Sequence, residues 1–142
     1  MLQIPVAKVA VLAATFAFDR PYTYKIPQPL AATLRPGCRV VVPFSRGNRP
    51  CEGMVLALGE AEDDPKFKSI TRQLDPEPIL SPELIRLAVW MHDRFFCTIY
   101  DALHAILPAG VWYRVSTVYC AAPELDTAAA LAQCGKSEQR RL

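Results

Sequence analysis

The chain predicts an α+β fold, a small curved β-sheet or partial barrel followed by a helical segment, and three observations lead there. Between residues 4 and 74, short runs rich in Val, Ile, Tyr and Thr are punctuated by Pro, Gly and charged turns. At Asp75-Pro76-Glu77-Pro78 two prolines in four residues make a stiff, extended connector. Beyond it, apolar residues recur at helical rather than strand spacing.

Taken in order, residues 4–12 alternate loosely, with Val6, Val9 and Val11 as strand formers, and predict a first strand. Residues 13–18 are a turn or its continuation. Asp19-Arg20-Pro21 then opens into the strand Tyr22-Thr23-Tyr24-Lys25-Ile26, closed by Pro27. Residues 28–35 connect, since the nearby prolines forbid a long helix. Pro36-Gly37 turns into Arg39-Val40-Val41-Val42-Pro43-Phe44, a central strand buried on both faces. Residues 45–50 form an exposed basic hairpin tip, and residues 51–58 return as a strand, with Gly53 read as a bulge. An acidic loop holds Glu60, Glu62, Asp63 and Asp64, and residues 67–74 alternate as a fifth strand.

The connector marks a domain boundary, giving a β-rich domain over 1–76 and a helical domain over 77–142. Ser81-Pro82-Glu83 reads as a helix start, with Ser capping and Pro in the first turn. Leu84, Ala88, Met91 and Phe95, with Ile85, His92 and Phe96 on an adjoining row, form its inward face. Thr98 caps a second helix in which Ile99, Leu103, Ile106 and Leu107 pack inward, and Pro108-Ala109-Gly110 stops it. A β-rich passage over 111–121 and a third helix over 124–133 follow. Helices beside a strand suit the start of a winged-helix module.

The net charge of +2 does not announce a nucleic-acid binder, but its distribution is uneven. Residues 1–76 carry +3 and residues 77–142 carry −1. Arg20, Lys25, Arg35, Arg39, Arg46 and Arg49 follow one another with no acidic residue between them, a cationic face carried on β structure that would steer a polyanion to one side. The five cysteines, Cys38, Cys51, Cys97, Cys120 and Cys134, contain no Cys-x-x-Cys pair. They read as reduced, mostly buried thiols of a cytoplasmic protein, without a zinc site or disulfide framework. Residues 1–17 are apolar but have no basic n-region, contain Pro5 and Lys8 and are too short to span a bilayer.

Tyr22 and Tyr24 lie two apart and share a strand face, either in the barrel core or as a stacking platform for a base. Thr23 points the other way and offers a hydroxyl. Arg46 and Arg49 on the hairpin tip are placed to touch a phosphate backbone, and Lys66 and Lys68 share a face beyond the acidic loop. Gly135-Lys136-Ser137 lacks the earlier glycine of a phosphate-binding loop, since that position is Ala130. His92 and His104 have no carboxylate or cysteine at ligand spacing and read as structural. No catalytic set can be assembled, which argues against an enzyme.

The segments FDRPYTYKIP, RPGCRVVVPF, CEGMVLALG, FKSITRQLDPEPILSPELIRLAVWMHDRFF and LHAILPAGV, in this order and spacing, resemble the N-terminal part of the PriA family of replication-restart helicases. The similarity runs from about Val6 to Val111. It implies a domain that binds the 3′ end of a nascent strand at a stalled fork without demanding a particular base. The pocket residues it implies are Tyr22, Thr23, Tyr24, Ser45 and Lys68, with Arg46 and Arg49 beside them on phosphate. Ser45 stands where the family leads one to expect Gly, and Thr23 where Asp or Thr is expected. Thr98 and Tyr100 replace a typical Pro and Gly, so the second helix is expected to start differently.

The resemblance further implies a bacterial, nucleoid-associated protein whose partners are forked or single-stranded DNA with a 3′ end, other primosome proteins and single-stranded-DNA-binding protein, with no membrane. ATP, Mg and Zn belong to motor lobes that the family carries beyond this region, so no cofactor is expected here and the chain reads as a fragment that binds but does not unwind. The alternative from another class is a β-barrel adaptor that docks other proteins during primosome assembly. Its sign is an exposed apolar patch in place of a basic groove.

Overall fold

A computed structural model describes residues 2–111 together with Val118, Cys120, Asp126, Ala128, Ala129 and Ala132. Strand-forming residues punctuated by Pro and Gly give β1 (Gln3–Val11), β2 (Tyr22–Lys25), β3 (Arg39–Phe44) and β4 (Arg49–Glu62), with a single helical turn, α1 (Gln28–Ala31), between β2 and β3. The fifth strand expected over 67–74 is instead two short ones, β5 (Lys68–Ser69) and β6 (Arg72–Gln73). They lie at opposite edges of one sheet of order β5-β2-β1-β4-β3-β6. The step between them spans the gap, because Ile70 N donates to Lys25 O at 3.1 Å and Thr71 N to Val41 O at 2.9 Å. One short segment thus pairs with both free edges, and the sheet curls into a half-barrel.

Period-two alternation divides the sheet between two cores. Val9 and Val11 of β1, Tyr24 of β2, Val40 and Val42 of β3, Val55 of β4 and Ile70 pack inside the curl. Ala10 and Met54, pointing the other way, pack against the helices. Gly53 is not the bulge. A side chain there would come within 2.5 Å of Val9 Cγ1 and 3.0 Å of Ala10 O, so the glycine permits β1 and β4 to approach closely. The register slips elsewhere, with Lys8 opposite Ala57 and Val9 opposite Val55, which leaves Leu56 as the extra residue. β4 also runs further than expected: Glu60 and Glu62 pair with Pro5 and Gln3, so half of the acidic cluster lies on strand.

The helices are α2 (Pro82–Arg94) and α3 (Ile99–Ile106). Ser81 Oγ accepts from Leu84 N, and Thr98 forms a reciprocal capping box with Asp101, a device that contributes about 1 kcal/mol. Ile85 and Ala88 of α2 and Ile99, Tyr100, Ala102 and Leu103 of α3 are buried. Phe95 and Phe96 are not inward-facing. α2 ends at Arg94, Phe95 takes an extended conformation, and the two rings are 56% and 97% exposed.

Because both helices share a core with β1 and β4, residues Met1–Trp112 form one compact unit and Tyr113–Leu142 a second. The boundary expected between residues 76 and 77 falls within the first of these. Gly37, at φ +92°, makes the turn that brings this corner together, its main-chain oxygen accepting from Ile79 N at 3.0 Å. Of the cysteines, Cys38 is buried, Cys51 and Cys97 are half-buried and Cys120 is exposed, all as free thiols. The β-rich passage over 111–121, the third helix over 124–133 and Gly135-Lys136-Ser137 lie largely or wholly outside the described residues. Among the described residues no helix is long and apolar enough to cross a membrane.

Candidate nucleic-acid interface

The mouth of the half-barrel holds an open pocket of about 980 Å³. Of the residues singled out in the sequence, Tyr22, Thr23, Tyr24, Ser45, Arg46 and Lys68 line it. Arg49 does not. It opens β4 opposite Phe44 and is exposed on the hairpin beside the pocket. Five further residues line it: Arg20 and Lys66, named in the sequence only as cations and not as pocket residues, and Phe18, Phe44 and Asn48, which were not singled out. Their sequence signals were present but weak, an aromatic before the Asp-Arg-Pro turn and cations next to residues already chosen.

The two tyrosines play different parts. Tyr24 is buried, 3% exposed, and its hydroxyl donates to Pro43 O at 3.1 Å, so its ring belongs to the core and forms the pocket floor. Burial chiefly, then Cys51 and Tyr22, push its phenol up to about 12. Tyr22 is half-buried. Its hydroxyl donates to Phe18 O at 2.8 Å, its ring meets that of Phe44 edge-on at 5.2 Å, and the Arg20 guanidinium lies over it at 5.5 Å. Thr23, facing away from the tyrosines, accepts from Lys8 Nζ at 2.6 Å, a bond from β1 that fixes its hydroxyl.

Opposite this aromatic wall, the hairpin turn over 45–48 places both Ser45 and Asn48 in the left-handed region, at φ 60° and 50°. Lys68 Nζ donates to Ser45 O at 2.6 Å, tying β5 to this turn. Arg46 and Lys66 are exposed beside it. The result is a concave surface with π-faces on one wall, hydroxyls at its edge and cations around its rim. Those are the components that stack a base and neutralise a phosphate.

The cationic run between Arg20 and Arg49 is less continuous in space than in sequence. Arg39 is 1% exposed and points into the fold, where its guanidinium donates to Asp75 at 2.6 and 3.0 Å and lies 3.8 Å from Glu52. Lys25 pairs with Asp63, and Arg35 donates to its own neighbour Leu34 O at 2.7 Å. The positive charge facing the pocket comes instead from Arg20 and Arg46 together with Lys66 and Lys68 from beyond the acidic cluster.

Residues 8–108 match the family model described as the PriA 3′DNA-binding domain (3′BD). The chain belongs to this PriA 3′DNA-binding-domain family. It is also 39% identical over 107 residues to the replication restart protein PriA of Bacillus subtilis (strain 168), an alignment that covers 74% of this chain and 13% of the relative. The chain therefore corresponds to a small part of that relative's length. The PriA 3′BD match spans the half-barrel from Lys8 of β1 onward, the pocket and both helices, and it is a DNA-binding rather than a catalytic domain that is matched.

Proposed function

We propose that this PriA-type domain captures the 3′ end of a nascent leading strand at a stalled replication fork, without preference for the terminal base, as the DNA-end sensor of a replication-restart protein. The observation that carries the reading is the convergence on one pocket of an aromatic wall, Tyr22 and Phe44, with Thr23, Ser45 and Lys68. A π-face stacks any base, so stacking gives affinity without sequence. A rim that bonds a terminal hydroxyl admits an end and leaves no room for a continuing chain. Arg46 and Lys66 hold the phosphates behind it, and Arg49 extends that track along the hairpin. The chain supplies binding alone in this scheme, with primosome proteins and single-stranded-DNA-binding protein as partners of the larger assembly.

Fluorescence anisotropy with forks whose nascent strand ends in a 3′ hydroxyl or a 3′ phosphate tests the reading. Preference for the hydroxyl, lost in Lys68→Ala, supports it; equal binding with a steep salt slope leaves a nonspecific basic surface. The adaptor reading is favoured by a separate observation, the exposed rings of Phe16, Trp90, Phe95 and Phe96 on and beside α2. It predicts protein capture that survives the pocket substitutions.

A further inference from the structure

The loop between β1 and β2 has little core of its own. None of the residues of its 3-10 turn, Phe16–Phe18, is buried, and Thr15 at its start makes no side-chain cap. Yet Phe18 and Arg20 line the pocket, and Phe18 O receives the Tyr22 hydroxyl. Something must hold this loop in place.

Asp19 lies between those two pocket residues and faces the helices, with its side chain 1% exposed. Its Oδ2 accepts from Ile99 N, the first residue of α3, at 2.7 Å, and lies 3.1 Å from His92 Nδ1 of α2. His92 Nδ1 is also 2.9 Å from Cys97 O. Both neighbours are acceptors, so the imidazole proton sits on Nδ1 and is shared between them. The carboxylate that sequence spacing denied to His92 thus comes from a distant loop. A buried carboxylate receiving two N–H groups at a helix N-terminus is a strong tie, helped by the helix dipole. Phe16 adds apolar contact, its ring 6.4 Å from that of His92 and 5.6 Å from that of Phe96.

We infer that Asp19 is a positioning residue, which by holding Ile99 N and His92 fixes Phe18 and Arg20 against Tyr22 and so lets the helical segment set the geometry of the pocket lip. The inference deepens, and rests on, the reading of that pocket as a DNA-end site. Its physical content is preorganisation: a lip already held in the bound conformation loses little entropy when a terminal nucleotide arrives.

The test compares wild type, Asp19→Ala and Asp19→Asn by two readouts. Hydrogen exchange is followed in a peptide spanning residues 14–22, with a β4 peptide as internal control, and anisotropy is measured for single strands ending in a 3′ hydroxyl or a 3′ phosphate. Asp19→Ala is expected to exchange faster in the loop peptide alone. It should bind the hydroxyl-ended strand about tenfold more weakly while leaving the phosphate-ended strand unchanged. Asp19→Asn, which keeps an acceptor oxygen, is expected to restore both. An Ala variant that matches wild type in either readout overturns the inference, as does an Asn variant as impaired as Ala. Wild-type protein without hydroxyl preference overturns the end-pocket reading itself, and the exchange data then decide separately whether Asp19 holds the loop. If Asp19→Ala does not fold, His92→Ala removes one of the two ties and is expected to give the same pattern at smaller amplitude.

Discussion

Lys68 Nζ and the main-chain oxygen of Ser45 are 2.6 Å apart, and this one bond joins the segment that closes the half-barrel to the turn at the tip of its longest hairpin. The same oxygen accepts from Asn48 N at 3.3 Å. A lysine that serves the turn and also presents charge to the pocket links the shape of the site to its electrostatics.

Lys68→Ala removes both roles. Lys68 is only half-buried, so the loss of stability should stay near 1 kcal/mol, whereas on the proposed reading DNA binding loses a pocket-lining charge and the fixed position of Ser45. The expected result is weaker binding at every ionic strength, with the slope of log K against log salt reduced by about one. Anisotropy titrations at several salt concentrations, with urea melts as the stability control, measure this directly. An unchanged slope would show that Lys68 is fully occupied by Ser45.

Ser45→Gly concerns the backbone. Ser45 sits at φ 60°, where a residue with a Cβ carries roughly 1–2 kcal/mol of strain and glycine carries none. Gly adds unfolded-chain entropy of about 0.5–1 kcal/mol, so a net gain of up to about 1 kcal/mol in unfolding free energy is expected. Ser45→Val should lose at least as much. If the Ser hydroxyl contributes to DNA binding, Ser45→Gly will be more stable and bind more weakly, a separation that paired denaturation and binding curves reveal.

Asp75→Ala is expected to be among the most damaging single changes. Asp75, 4% exposed, accepts from Arg39 N at 2.8 Å and from its guanidinium at 2.6 and 3.0 Å. Removing the carboxylate strips a buried guanidinium of its principal counter-charge, a change that costs about 3–5 kcal/mol. Tyr100→Phe, which deletes a hydroxyl donating to Glu52 Oε1 at 2.7 Å beside the same network, should cost roughly 1.5–3 kcal/mol. Chemical denaturation of the two single variants and the double variant tests whether they couple, as neighbours in one polar network should.

The strand cores were legible in the sequence because Pro and Gly mark their ends: Pro27 closes β2 and Pro36-Gly37 opens the approach to β3. Closure of the sheet was not, since nothing local distinguishes Ile70 and Thr71, which leave one edge for the other, from the middle of a continuous strand. Arg39 read as a surface cation because its partner Asp75 is distant in sequence. Helical periodicity carried Phe95 and Phe96 inward only because no Gly or Pro announces the end of α2 at Arg94. Tyr22, Thr23, Tyr24, Ser45 and Lys68, which line one pocket, came together as a set only through the family resemblance, because the aromatic strand alone left Tyr22 and Tyr24 between core and stacking platform. Phe18, Arg20 and the Asp19 tie to α3 required the packing of helices against the first loop, which no spacing encodes.

Tyr24 gives the fold an alkaline limit. Its phenol, buried first of all and then opposed by Cys51 and Tyr22, is pushed up to about 12, against about 10 in an unfolded chain. The folded state therefore favours the protonated form. Its contribution is fully present below pH 10 and is lost progressively as pH rises from about 10 to about 12, because the unfolded chain releases the proton first. Tyr24→Phe keeps the ring but loses the bond to Pro43 O, which should cost about 1 kcal/mol at neutral pH. The Tyr100 phenol, also raised by burial and by Glu52, acts on both proteins alike, so the difference between wild type and variant isolates Tyr24. Urea denaturation at neutral pH and at steps between pH 10 and 12 should show the wild-type advantage shrinking and then reversing. A difference that stays constant across that window would mean that the Tyr24 hydroxyl titrates alike in the folded and unfolded chain, and that its burial in the pocket floor does not govern its ionisation.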